Sequence, residues 1–234
     1  MAYFEIRNLH VTHKSYEGVK DVLNIERLAI ERGETYGLVG ESGQGKTVLA
    51  LAIQKLLACP PGKIESGEVL LEGQDLLKLS PRQLQRSVRG SRIAMIFQDP
   101  MSCLNPVFTV GSIMTDVLRT RRGLGHREAT KEAVALLKEV KLADAESILS
   151  KYPHQLSGGQ RQRVIIALAL ACGAEFLIAD EPTRNLDVTI QASILKLLKE
   201  LQLKRGMTVL FIANNLSLVS VFCDRVGILY GGRI

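Results

Sequence analysis

Gly40-Glu41-Ser42-Gly43-Gln44-Gly45-Lys46-Thr47 is the stretch that decides the fold of this chain. It fits G-x-x-x-x-G-K-[ST], a pattern whose meaning depends on a strand before it and a helix after it. Both are in place. Thr35–Val39 is a short apolar strand, and the pattern predicts a helix from Lys46 to about Leu57, ended by Pro60-Pro61-Gly62. Glycines let the backbone curl so that successive N–H groups face the oxygens of a phosphate. The start of the helix adds the positive end of its dipole. Lys46 can reach β- and γ-phosphates, and the Thr47 hydroxyl can ligate Mg²⁺.

Outward from this loop, apolar strands alternate with helices. Tyr3–Val11 and Val22–Ile30 read as strands, as do Glu68–Leu71 and Ile93–Phe97. From about Val110 to Leu149 the period is helical, with Ala133, Leu136, Leu137 and Val140 on one face. Gln160–Ala171 is a helix, Phe176–Ala179 a strand and Val188–Leu203 a helix. Val209–Ala213 is a strand, Leu216–Phe222 a helix and Val226–Tyr230 a last strand. Strands that are apolar throughout and alternate with helices imply a parallel sheet covered on both faces. The helical middle reads as an insert between sheet strands.

Composition narrows the function classes. The 234 residues are 46% hydrophobic and 23% charged, which is ordinary for a globular chain and excludes disorder as the dominant state. The net charge of +6 is compatible with nucleic acid, an anionic cofactor or a membrane surface. The absence of Trp, with only 5 Tyr and 6 Phe, disfavours base-stacking platforms. The N-terminus carries charge at once and does not read as a signal peptide. The longest charge-free apolar stretch, Val164–Ala174, is short of the roughly 20 residues of a membrane-spanning helix. Any membrane role is therefore peripheral. Cys59, Cys103, Cys172 and Cys223 show no metal spacing and read as reduced, mostly buried cytosolic thiols.

Two further signals carry chemistry. In Phe176-Leu177-Ile178-Ala179-Asp180-Glu181 a buried strand releases two carboxylates at its C-terminal end, where α/β sheets place ligands. Asp180 suits a Mg²⁺-holding acid, and Glu181 is then free to polarise a water. In Leu156-Ser157-Gly158-Gly159-Gln160 a Ser N-cap and two glycines open an apolar helix. This is either a second anion-binding helix start or simply a capped helix.

Together these motifs resemble the ATPase subunit of ATP-binding cassette (ABC) transporters. The phosphate loop, Gln98 after an apolar strand, the Leu-Ser-Gly-Gly-Gln segment and the Asp-Glu strand end occur in that family's order. Ile96–Pro106, the Tyr152-Pro153-His154-Gln155 approach to Ser157, Asp187-Val188 with Gln191-Ala192, and Val48 resemble the dipeptide, oligopeptide and nickel importer branch. The resemblance implies a P-loop NTPase fold in three parts. A RecA-like parallel sheet would be built from 1–98 and 158–234. A small antiparallel β portion would lie near its N-terminus, and a helical subdomain would occupy 99–157. It implies ATP with Mg²⁺, the metal held by Thr47, Gln98 and Asp180. Gly40 to Val48 would receive the phosphates of one ATP. Ser157, Gly158 and Gly159 would serve the ATP of a partner cassette, and Gln160 and Asp187 would also belong to the nucleotide-binding residues. Glu181, Gln98 and residue 214 would act in catalysis. Two cassettes, identical or paralogous, would pair head to tail on integral membrane permease subunits, served indirectly by a solute-binding protein. The implied location is the cytoplasmic face of the cell membrane, and the implied role is import of a peptide, nickel or a similar small solute. Tyr16, 24 residues before Gly40, is either the family's adenine-stacking aromatic or a turn tyrosine without a ligand.

Three departures from the family pattern stand out. Where the family usually has a histidine contacting the γ-phosphate, this chain has Asn214. An amide donates one hydrogen bond but cannot become a cation at neutral pH. This motivates an alternative, a degenerate regulatory subunit with weak ATPase activity. Arg184-Asn185 stands where small or hydroxyl residues are usual. The sequence stops at Gly231-Gly232-Arg233-Ile234, and peptide-importing relatives typically continue. ABC proteins of chromosomes carry a long coiled coil between their halves. Here 58 residues separate Gln98 from Ser157, so no nucleic-acid partner is expected. Arg82, Arg86, Arg89 and Arg92 read as a solvated or membrane-side face.

Overall fold

The computed structural model describes residues 2–16, 18–99 and 103–234. Part of the importer-like stretch Ile96–Pro106, residues 100–102, lies outside them. The chain forms two compact units, Met1–Arg89 with Gly206–Ile234, and Gly90–Arg205.

In the first unit, β1 (Phe4–Ser15) and β2 (Gly18–Ile30) form a long antiparallel hairpin. On the other side of β1 lies β4 (Gly62–Leu71), followed by the short β5 (Gln74–Asp75). Phe4, Ile6, Leu9 and Val11 of β1 are fully buried. Glu5 is held between the Arg7 and Arg27 guanidiniums, at 2.6 and 2.9 Å. The parallel part of this unit has β3 (Thr35–Val39) at its centre, flanked by β8 (Thr208–Ala213) and β9 (Arg225–Ile228). All residues of β3 and β8 are buried, as strands covered on both faces must be.

Helix α1 (Lys46–Ile53) follows β3 and stops four residues before the expected Leu57. Its end is closed by Lys55 at a φ of +50°, with the Leu56 amide donating to the Leu51 carbonyl at 2.8 Å, and is held from outside as well. The Arg89 guanidinium donates to the carbonyls of Gln54 and Lys55 at 2.8 to 2.9 Å, where the helix dipole is negative. Arg89 therefore leaves the solvated arginine face expected from sequence and is a structural cap. Helix α2 (Pro81–Ser87) was not anticipated. Ser80 and Gln83 close a reciprocal capping box around its start, with Pro81 at the first helical position. Helix α8 (Leu216–Phe222) returns over β3, where Val219 packs on Gly37.

In the second unit β6 (Ile93–Ile96) and β7 (Phe176–Asp180) run parallel, in register from Ile93 with Phe176 to Ile96 with Ala179. The expected helical middle resolves into α3 (Val110–Arg122), α4 (His126–Glu139) and α5 (Ala145–Ser150). Met114, Leu118, Leu136, Leu137 and Ile148 are buried among them. Helix α6 (Gly158–Ala171) carries polar locks at both ends. Arg122 donates to the terminal carbonyls of Leu170 and Ala171 at 2.9 and 2.8 Å. Arg163 donates to the Val140 carbonyl at 2.7 Å and to the Ser193 hydroxyl at 2.6 Å, and burial pushes its guanidinium below the usual arginine range. Ser193 belongs to α7 (Val188–Arg205).

Among the described residues no helix is long and apolar enough to cross a membrane. All four cysteines are free, but none of them is buried, contrary to expectation: Cys59 and Cys103 are exposed in surface connections outside the sheets, and Cys172 and Cys223 are half-buried.

Candidate functional site

The phosphate loop leaves the C-terminal end of β3 between two neighbouring strands. Val39 is level with Ala213 of β8 and Ile228 of β9, so Gly40, Asn214 and Leu229 emerge side by side. Gly40 has no room for a side chain, since a Cβ there would sit 2.5 Å from the Leu229 carbonyl oxygen. Gly43 and Gly45 have φ of +86° and +96°, a conformation that side chains disfavour. Gly45 is the N-cap of α1 and supplies no side-chain cap, so the first N–H groups of the helix are left for a ligand.

Lys46 is 5% exposed, and its ammonium donates to the carbonyls of Gly40 (2.6 Å) and Glu41 (2.9 Å). The loop is thus wrapped around its own lysine. Glu41, Ser42 and Thr47 are exposed, and Val48 is half-buried on α1. The Gln44 side-chain oxygen accepts from the Gly231 amide at 2.9 Å, which pins the loop to the turn after β9. Asn214 is exposed at the end of β8, and Asn215 caps α8 through the Ser217 amide. Tyr16 stands fully exposed in the turn of the β1–β2 hairpin. The part of β2 that reaches the loop is Val22–Leu23, against Gly45.

In the second unit the register of β6 and β7 brings Gln98 level with Glu181, each two residues past the last paired position. The Gln98 amide donates to Glu181 Oε2 at 3.1 Å, and the Arg184 guanidinium donates to the same oxygen at 3.1 Å. The Glu181 side chain is 9% exposed, and its backbone has a φ of +44°. Asp180, the last residue of β7, is 1% exposed. A carboxylate so buried calls for a cation or strong donors.

Ser157 caps α6, its hydroxyl accepting from the Gln160 amide at 3.3 Å while the Gln160 side chain accepts from the Ser157 amide at 3.0 Å. Gly158 and Gly159 form the first turn. A Cβ on either would press on Leu186 or Ile190, at 3.2 and 3.0 Å. The Asp187 carboxylate caps α7 by accepting from the Ile190 amide at 2.9 Å. Within this unit Gln98, Glu181 and Asp180 come together at the strand ends, and Asp187 shares the neighbourhood of Gly158 and Gly159.

In the second unit the Asp180 carboxylate and the Gln98 side-chain carbonyl, and in the first the Thr47 hydroxyl, are each oxygen donors of the hard kind that Mg²⁺ takes. Among the described residues no group of three or more His, Cys, Asp or Glu side chains could hold a metal, so there is no all-protein cage. Mg²⁺ in phosphate sites takes only a few protein ligands beside the phosphates themselves.

The family model described as ABC transporter matches residues 23–184, which contain both the loop and the acid pair. The chain belongs to the ABC transporter family. This ABC chain is 46% identical over 98% of its length to the oligopeptide transport ATP-binding protein OppD of Bacillus subtilis, and it spans 64% of that protein. It is 45% identical over 98% of its length to the probable D,D-dipeptide transport ATP-binding protein DdpD of Escherichia coli, and spans 70% of it. Among solved structures it is similar to a dimeric ATP-binding cassette in a post-hydrolysis state with ADP and Pi. That likeness has a TM-score of 0.85 at 30% identity, covering 99% of this chain and 96% of the other. The fold is that of the ABC ATPase cassette, with parallel strands behind the phosphate loop and an antiparallel sheet near the N-terminus.

Arg184, which donates to Glu181, stands out in the sequence only as a departure from the family pattern. The signal was present in the i, i+3 spacing of Glu181 and Arg184 across Pro182, which suits a turn that returns one side chain over the other.

Proposed function

We propose that this chain binds and hydrolyses ATP to drive an ABC importer of peptides or similar small solutes. The observation that carries the reading is the Gln98–Glu181 pair at the ends of β6 and β7, directly after the buried Asp180. The phosphate loop receives the phosphates through its backbone amides, α1 and Lys46. The Glu181 carboxylate takes a proton from water as the water oxygen bonds to the γ-phosphorus and the bond from that phosphorus to the departing ADP oxygen breaks. Mg²⁺, held by Asp180, Gln98 and Thr47, would supply charge neutralisation at the phosphates. The positioning of the water falls to Gln98, which already orients the base.

Residues 99–157 serve in this reading as the helical subdomain that meets membrane-embedded permease subunits at the cytoplasmic face. Ser157, Gly158 and Gly159 would serve the nucleotide of a second cassette, paralogue or copy, and Tyr16 would stack on adenine. Relatives named for oligopeptide, D,D-dipeptide and glutathione transport favour a peptide over a nickel complex. Asn214 alone motivates the degenerate, regulatory reading, and the comparisons do not favour it over the importer ATPase.

The test is Glu181→Gln. Loss of a general base commonly costs about 10²–10⁴ in rate, while the shape is kept. ATP binding should persist, hydrolysis should fall by at least about 10²-fold, and an ATP-bound dimer should accumulate in size-exclusion runs with Mg²⁺. A variant that hydrolyses at the parental rate would sink the reading.

A further inference from the structure

We propose that Arg184 is a positioning residue that restrains Glu181 and so holds down ATP turnover, an inference that rests on reading Glu181 as the general base. Glu181 Oε2 accepts two hydrogen bonds, one from the Gln98 amide and one from the Arg184 guanidinium, each at 3.1 Å. An oxygen of a carboxylate offers about two lone-pair sites. While both bonds stand, Oε2 is closed to a water that must approach to about 2.6–3.2 Å to lose its proton. The guanidinium is a poor exchange for that water, because it offers only N–H donors and brings no attacking oxygen.

The backbone makes the contact local and persistent. The Arg184 amide donates to the Glu181 carbonyl at 3.0 Å, closing a turn with Pro182 at its second position, where a fixed φ is favourable. The Leu186 amide then donates to the Thr183 carbonyl at 3.4 Å, and Asn185 takes a φ of +62°. Two successive turns thus fold residue 184 back over residue 181. As a stabilising ion pair the contact counts for little, since the Arg184 side chain is 45% exposed. Its effect falls on the base, which is 9% exposed and has one oxygen doubly occupied.

The test compares the full chain with Arg184→Ser, Arg184→Lys, Glu181→Gln and the double variant Arg184→Ser/Glu181→Gln. In steady-state assays with ATP and Mg²⁺, Arg184→Ser should raise kcat by about threefold to tenfold, the rate equivalent of one hydrogen bond. KM for ATP should stay within about twofold, because the restraint acts on the base and not on nucleotide binding. Arg184→Lys, which keeps the charge but loses the planar fork, should lie between. The second readout needs no nucleotide. Thermal unfolding should show Arg184→Ser lowering Tm by about 1–3 °C in the parental chain and by less in the Glu181→Gln background. A kcat for Arg184→Ser equal to or below the parental value, or equal Tm shifts in both backgrounds, would overturn the restraint. No turnover in any variant would sink the hydrolytic reading, whereas turnover that ignores Arg184 sinks only the restraint.

Discussion

The ammonium of Lys46 lies 2.6 Å from the carbonyl oxygen of Gly40, the seventh and first residues of one loop. The loop carbonyls solvate a charge that is almost fully buried, and the loop keeps the curl that points its amides outward. A phosphate oxygen arriving at the loop competes for the same ammonium. Charge-assisted hydrogen bonds of this kind contribute about 1.5–3 kcal/mol each. Lys46→Ala should therefore weaken Mg²⁺-ATP binding by at least about 10-fold and remove turnover, as read by calorimetry and a phosphate-release assay. Unchanged affinity with unchanged turnover would remove the phosphate-loop assignment.

Gly37 sits in the middle of β3, where a Cβ would overlap Val219 Cγ1 of α8 and lie 2.9 Å from Cys223 Sγ. Overpacking of this sort costs about 1–3 kcal/mol. For a chain of this size each kcal/mol moves Tm by roughly 2–4 °C. Gly37→Ala should lower Tm by at least about 2 °C in a calorimetric scan, and Gly37→Ala/Val219→Ala should lose less than the two single effects combined. Strict additivity would mean that the α8–β3 contact does not set the spacing.

A pH dependence follows from Glu139 at the end of α4. The Arg205 hydrogen bond holds its carboxyl below the ordinary value of 4.5; burial opposes this, and Lys204 adds to the lowering. A carboxyl that is lowered in the folded chain stabilises it above the unfolded value, and that contribution is lost as pH falls through the folded value. Both partners are on or next to the last turn of α7 and partly exposed, so the pair contributes at most about 1 kcal/mol. Glu139→Gln should lower Tm by about 1–4 °C at pH 7, and the gap to the parental chain should narrow progressively as pH falls below the ordinary carboxyl value of 4.5. A gap that does not narrow on acidification would assign the effect to packing instead.

The phosphate loop, the strand that feeds it and the Asp180-Glu181 strand end were legible because each is a local pattern with one physical solution. Glycines at positive φ, a lysine at the helix start and carboxylates after four apolar residues need no knowledge of the rest of the chain. The early end of α1 was not legible, because the apolar period runs on to Leu57, while the stop comes with a φ of +50° at Lys55 and is held by Arg89, which is distant in sequence. Nor was the inward turn of Arg89 itself. Helix α2 was a different failure, since Ser80-Pro81-Arg82-Gln83 spells a capping box and went unread. Arg184 stands out in the sequence without its partner. Its pairing depends on the φ of +44° at Glu181, which the sequence pattern does not announce.

Asn214 follows Ala213, and Ala213 is level with Val39, so the amide emerges beside Gly40 at the mouth of the phosphate loop. It is exposed and free to turn toward a bound nucleotide. An amide there can offer a neutral N–H to charge developing on the γ-phosphate, with no gain from protonation. Removal of one such donor commonly costs about 10²–10³ in rate, and a short, solvent-facing side chain belongs at or below the low end of that range. Asn214→Ala should therefore lower kcat by about 10- to 100-fold with little change in ATP affinity. Asn214→His should match or exceed the parental kcat, with a new dependence on pH near the imidazole range of about 6.5. If Asn214→Ala leaves kcat where it was while Asn214→His raises it, the amide contributes nothing and the loop of this chain is a degenerate site that depends on a better-equipped partner.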